Sequence, residues 1–369
     1  MKKLLLLALL ALLSCNLWKE KGQSGLFLVL VNDQFGYINR AGDTIIAPQF
    51  DNGANFAEGL AQVAIGEVDQ KWGYIDAEGA YTINPQFDET GPFSQGLAVF
   101  AWYVGDEWLY GYINTQGKRV IEPQFREARD FSEGRAVVHA AANGKAGYID
   151  KSGTLVVNPQ YADAYDFSEG LGLVRSDDDK WGFIDKAGRL IIAQQFDGAR
   201  GFSEGLALVV IGDRCGYVDR TGRVAVTPQF EAGRDFSEGL AAVTVKVGNN
   251  ALWGYIDATG KMVIDPQFVW ALEFTAEQLA AVAVGGHWGY IDKTGKFVIN
   301  PQFDLAYSFS EGLALVVTEN RYGYIDNTGK YVWGPMDGGT ALPIKRFSGR
   351  QRRQVTALPS PTPGRRTTE

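Results

Sequence analysis

One segment recurs along almost the whole chain, and a tandem repeat constrains the fold more than length or composition can. Its copy at 288–316 reads WGYIDKTGKFVINPQFDLAYSFSEGLALV. A first glycine recurs at Gly36, Gly73, Gly111, Gly147, Gly182, Gly216, Gly254, Gly289 and Gly323, at intervals of 34 to 38 residues. Six residues after each stands a second glycine, from Gly42 to Gly329. Length alone, at 369 residues, suggests two or three domains. An array grows by adding units rather than cores, so a single elongated domain is expected over 26–336, after a leader at 1–14 and a linker at 15–25, and before a tail at 337–369.

Each unit reads as strands. Between the two glycines runs Ile-Asp-x-x-Gly, as at Ile291–Gly295. An aspartate that accepts backbone N–H groups, closed by a glycine able to take φ > 0, makes a hairpin turn. A mostly apolar pair and Pro-Gln-Phe follow, with eight of the thirteen prolines in this frame and Gln194 as its one substitute. Proline cannot donate to a ladder, so it marks a strand end or a sheet edge. A phenylalanine then recurs in eight units, from Phe56 to Phe309, before an alternating Leu-Ala-x-Val strand.

The expected fold is therefore all-β, about nine three-stranded meanders stacked face to face. Neighbours such as Tyr290 and Ile291 are apolar on opposite strand faces, so each sheet needs cover on both sides. An open, curved, solenoid-like array is preferred. A closed propeller is the alternative, since propellers usually have four to eight blades and no strand shared between the termini is evident.

Trp72-Gly73, Trp181-Gly182, Trp253-Gly254 and Trp288-Gly289 carry a shared pair, with Phe35, Tyr110 and Tyr322 keeping an aromatic in that frame while Ala146 and Cys215 depart from it. Across roughly 26–335 the pattern resembles the WG repeat, the bacterial Trp-Gly family. The resemblance implies an all-β module, frequent in secreted or envelope-associated bacterial proteins and without a shared enzymatic reaction.

At the N-terminus, Lys2 and Lys3 precede an apolar run, Leu4 to Leu13, too short to span a bilayer. Leu12-Leu13-Ser14-Cys15 resembles the bacterial lipobox, although Leu13 departs from the residue usual there. The resemblance implies cleavage before Cys15, lipidation of that cysteine and attachment to a membrane. Asn16 is not the aspartate of the enteric retention rule, so an outer-membrane address is expected over an inner-membrane one.

Residues 15–336 carry 26 basic and 41 acidic side chains, a net −15. Phosphate affinity depends on neutralising charge, so a nucleic-acid partner is not expected. The tail is the reverse, with seven basic residues (Lys345, Arg346, Arg350, Arg352, Arg353, Arg365, Arg366) among prolines, threonines and serines, a composition typical of disorder.

The recurring Asp and Glu read as turn residues rather than a calcium site, which needs six to eight converging oxygens. The repeated Gln side chains, such as Gln302, are expected to bond backbone where units join. His139 and His287 stand in unrelated frames. No catalytic constellation, cofactor or metal site is expected. The one candidate binding site is Trp102, Tyr103 and Trp108, which sit with Asp106 and Glu107 in the connection between Ala101 and Tyr110, whereas the matching connection at 176–180 is short and charged. Rings beside carboxylates suit a sugar or a peptide backbone; the alternative, which is preferred, is that these rings fold back over the edge of their own sheet. The functional expectation is a membrane-anchored scaffold of the cell envelope that contacts a protein or polysaccharide. A spacer without a specific ligand is the alternative, and an enzyme a more distant one.

Overall fold

The computed structural model describes residues 25–66 and 69–337. The leader, Cys15 and the tail beyond Asp337 lie outside the described residues. All described regular structure is β, in nine consecutive antiparallel meanders. Blade 8 is representative, with a short inner strand Trp270–Ala271, a second strand Ala280–Val284, a third strand His287–Ile291 and an outer strand Phe297–Phe303. The inner strand is an addition to the three expected. It forms because the residues ahead of each recurring phenylalanine pair with the second strand, as Trp270 does with Ala283. In blade 7 this pairing shrinks to one bridge, Gly233 with Val243. Blades 3 and 4 are continuous, because strand Arg119–Ala128 serves as the outer strand of one and the inner strand of the next.

The burial of each strand follows its place. The second strand is buried on both faces, as at Ala280–Ala283. The outer strand is the most exposed and presents only alternate residues inward, as at Ile299 and Phe303. It therefore forms the rim. There Asn300, Pro301 and Gln302 oppose the single residue Gly289, between the pairs Trp288–Phe303 and Tyr290–Ile299. This bulge frees proline from the ladder. It also brings the outer backbone against the first glycine, where a Cβ on Gly289 would stand 2.5 Å from the Ile299 carbonyl. No other residue fits that frame.

Neighbouring blades are joined by bonds that repeat with the sequence. The Tyr290 hydroxyl donates to the Tyr307 carbonyl at 2.8 Å, and Tyr37, Tyr74, Tyr112, Tyr148, Tyr217 and Tyr255 each reach a carbonyl seventeen residues on in the same way. The Ser-Glu-Gly corners supply a second link. Glu204 has φ +55, a left-handed conformation that costs a non-glycine residue roughly 1–2 kcal/mol. Its carboxylate accepts the Gly239 N–H of the next blade at 2.9 Å, which offsets that strain. Glu133 to Gly170 and Glu169 to Gly205 repeat the bond.

Both links continue from the last blade to the first. Glu311 accepts the N–H of Gly25 at 3.1 Å, and the Tyr324 hydroxyl donates to the Leu28 carbonyl at 2.9 Å. Phe27 and Leu28 share one buried core with Leu315 and Tyr324. The expected open array is thus corrected to a closed ring, a nine-bladed propeller. Among the described residues no strand crosses the seam. The Tyr322 hydroxyl instead accepts from Leu30 N–H at 2.9 Å and donates to Leu30 C=O, the groups that an inner strand serves in the other blades.

Candidate functional site

Antiparallel order gives the ring two unlike faces. One, the corner face, carries the Ser-Glu-Gly corners and the Asp-x-x-Gly turns. The other, the hairpin face, carries the connections between second and third strands and the links from blade to blade.

On the corner face the carboxylates are occupied by the fold. Asp292 accepts N–H groups from Thr294 at 2.9 Å and Lys296 at 3.1 Å and the Thr294 hydroxyl at 2.6 Å. The hydroxyl bond, helped by the backbone bonds, holds its pKa below the usual carboxylate value. Asp219, Asp257 and Asp326 are bonded alike. The glutamines differ from expectation. Gln302 is exposed on the rim and bonds only the carbonyl of Asn300 in its own strand, at 3.3 Å, because the outer strand is an edge and meets no neighbouring unit there.

On the hairpin face blade 3 stands out. Its strands Leu97–Val104 and Glu107–Asn114 are the longest second and third strands of the ring, joined through Gly105 at φ +62, which glycine supplies without strain. Successive residues point to opposite faces, so the three aromatic residues separate. Tyr103 and Trp108 are cross-strand partners with ring centroids 5.2 Å apart, and are 51% and 46% exposed. Trp102 turns the other way. It packs against the core holding Tyr74, Phe87 and Phe100, beneath the Arg119 guanidinium at 4.2 Å. The expected trio is thus an exposed pair and a packing residue. Asp106 and Glu107 are exposed beside the pair. Ile65, Ile211, Val247 and Val284 are the exposed last residues of the second strands of other blades.

Sequence reasoning missed a charged seam between blades 4 and 5. His139, 8% exposed, has Nε2 3.6 Å from Asp163, and Arg129 and Arg175 approach the same carboxylate at 3.5 and 3.9 Å. Burial opposes ionisation of Asp163, but the His139 bond and the Arg129 charge outweigh it and hold its pKa low. Arg129 also lies over the Tyr165 ring at 4.2 Å. These residues occupy three different frames of two units, so no periodic signal groups them. His287 remains exposed, as its frame suggests. Cys215 is buried, and burial pushes its thiol up to about 12, which suits a packing role.

Toward the axis, Arg200 pairs with Asp235 at 2.9 Å and Arg234 lies 3.7 Å from Glu273. Asp166 is exposed to solvent yet hemmed in by protein, and desolvation raises its pKa despite the opposing charge of Arg129. Among the described residues no three His, Cys, Asp or Glu side chains converge to hold a metal ion, and no helix is long and apolar enough to cross a membrane.

The WG containing repeat matches eight segments, 35–67, 72–101, 110–138, 147–181, 181–215, 216–246, 253–286 and 288–322. The chain belongs to the WG repeat family. Each WG repeat begins on a third strand and runs through the second strand of the next blade, so repeats and blades are out of phase. The third and outer strands of blade 9, with Leu26–Val31, make a ninth unit divided between the two ends of the array. Among curated proteins nothing matches this WG repeat chain. Its fold is similar to the crystal structure of a eukaryotic initiation factor, at 13% identity and a TM-score of 0.60 over 83% of this chain and 94% of that one. Weaker likenesses are BamB from Moraxella catarrhalis, at 12% identity and TM-score 0.39 over 82% and 94% of the two chains, and Hsv2p from Kluyveromyces lactis, at 11% and 0.38 over 64% and 92%.

Proposed function

We propose that this WG repeat protein is a non-catalytic binding scaffold of the bacterial cell envelope, membrane-anchored through Cys15, whose hairpin face contacts a polysaccharide or an envelope protein. The observation that carries this reading is the exposed Tyr103–Trp108 pair, carried on a long hairpin and flanked by Asp106 and Glu107. Aromatic faces offer apolar area at low entropic cost, and adjacent carboxylates accept hydroxyl or amide hydrogens. The rings are not needed for packing, since Trp102 already covers the blade core.

The leader Lys2 to Cys15 supports the anchor and the outer-membrane address. The strand Leu26–Val31 begins on the corner face. A lipid on Cys15 would thus tether that face within roughly 35 Å of a bilayer, the reach of ten extended residues, and turn the hairpin face away.

Two measurements test the proposal. A Tyr103→Ala/Trp108→Ala variant should lose retention on immobilised envelope polysaccharide or peptide with its melting curve unchanged. Equal retention of variant and wild type would refute the site and favour a spacer. Metabolic labelling with an acyl probe should tag the wild type and not Cys15→Ala; equal labelling would remove the anchor.

A further inference from the structure

We propose that the basic segment 338–369 docks on the hairpin face of its own ring. Blade 9 ends with outer strand Tyr331–Asp337, which starts at the corner-face turn after Asp326 and crosses the blade. The chain therefore leaves the ring on the hairpin face. That face is the more acidic one. Among the described residues, the connections between second and third strands hold eight acidic side chains against two basic ones, Lys145 and Lys180.

The state of these carboxylates matters more than their number. On the corner face the aspartates cap turns and most of the corner glutamates bond the next blade. On the hairpin face Asp33, Asp106, Asp178 and Asp213 are exposed and make no side-chain hydrogen bond or ion pair among the described residues. The segment brings seven cations against one carboxylate, Glu369. Its Leu342, Ile344 and Phe347 can cover Val284, Val247 and Ile211, the exposed ends of the second strands of blades 8, 7 and 6 on that face.

Tethering favours the chain's own segment over a free competitor. Thirty-two residues reach roughly 100 Å when extended, and a flexible tether holds its end at an effective concentration on the order of millimolar. A face with millimolar affinity for such a segment is then about half occupied. The contact is electrostatic and exposed, so salt above the physiological range weakens it.

Carboxyl footprinting of the full chain by carbodiimide and glycine ethyl ester, read by mass spectrometry, tests the docking. Replacing the seven cations (Lys345, Arg346, Arg350, Arg352, Arg353, Arg365, Arg366) by Gln should raise labelling of Asp33, Asp106, Asp178 and Asp213 about twofold, the release expected from half occupancy. Glu78 on the corner face and Asp265 on the rim should not change. Wild type at high salt should behave as the variant does, and tenfold dilution should leave its protection intact. Unchanged labelling of the four aspartates, or an equal rise at Glu78 and Asp265, would overturn the proposal. Protection that falls on dilution would assign the segment to a second copy and overturn self-docking.

Discussion

Replacing Tyr322 by Phe removes a single oxygen at the seam and should cost more than the same deletion at a tyrosine that serves a single carbonyl. The hydroxyl accepts from the N–H and donates to the C=O of Leu30, a residue 5% exposed. In the interior of the ring Tyr290 serves only one carbonyl, that of Tyr307. Leaving a buried polar group unpaired costs about 1–3 kcal/mol. Tyr322→Phe strands two such groups and Tyr290→Phe one, so losses of about 2–4 and about 1–2 kcal/mol are expected, allowing for partial rescue by water. Entropies of unfolding near 2 cal/mol/K per residue convert the larger loss into a fall of roughly 3–6 °C in melting temperature for a ring of this size. Calorimetry of both variants alongside wild type makes the comparison. Both variants lose the same hydroxyl volume, so repacking does not confuse the comparison. Equal, or smaller, destabilisation by Tyr322→Phe would refute closure through this side chain.

Phe202→Ala should cost about 3–5 kcal/mol in denaturant unfolding, since the ring is buried against Phe183 with centroids 4.8 Å apart; an unchanged midpoint would contradict face-to-face packing of blades. Glu204→Ala should cost about 0.5–1.5 kcal/mol because it loses the exposed bond to Gly239 and keeps the left-handed strain, whereas Glu204→Gly, free of that strain, should cost less in the same assay. Asp163 has a lowered folded-state pKa, so its contribution is present above the unfolded-state pKa and lost as pH falls through the folded one; the stability gap between wild type and Asp163→Asn should close on acidification. Asp166 has a raised pKa, so its charged form is disfavoured in the fold, and Asp166→Asn should raise the melting temperature at pH 7 with little gain in acid where wild type is already protonated.

How much was legible follows from the range of each interaction. Strands, turns and the need for cover on both sheet faces are local properties, and each is written nine times over. Asp292 caps its own turn through residues two and four positions away, and the close approach at Gly289 is made within one hairpin. The short inner strand was harder to see, because its sequence varies from Leu305-Ala306 to Trp270-Ala271 and only its position recurs. The candidate site was half legible. An aromatic surplus at 102–108 is visible in the sequence, but strand register decides which rings face water, and the turn at Gly105 sends Trp102 inward and leaves Tyr103 and Trp108 outside.

The amino-acid order by itself determined the blade: its strands, its Asp-x-x-Gly turn, its edge proline and the glycine that the rim backbone approaches. Only the tertiary structure decided how the blades end. Whether nine units close depends on a small rotation accumulated at each interface, which no single repeat encodes. Closure then rests on pairs almost three hundred residues apart, Gly25 with Glu311 and Leu28 with Tyr324. The same holds for the His139–Asp163 seam, whose residues are spread over different frames and meet because two neighbouring blades bring those positions to one interface.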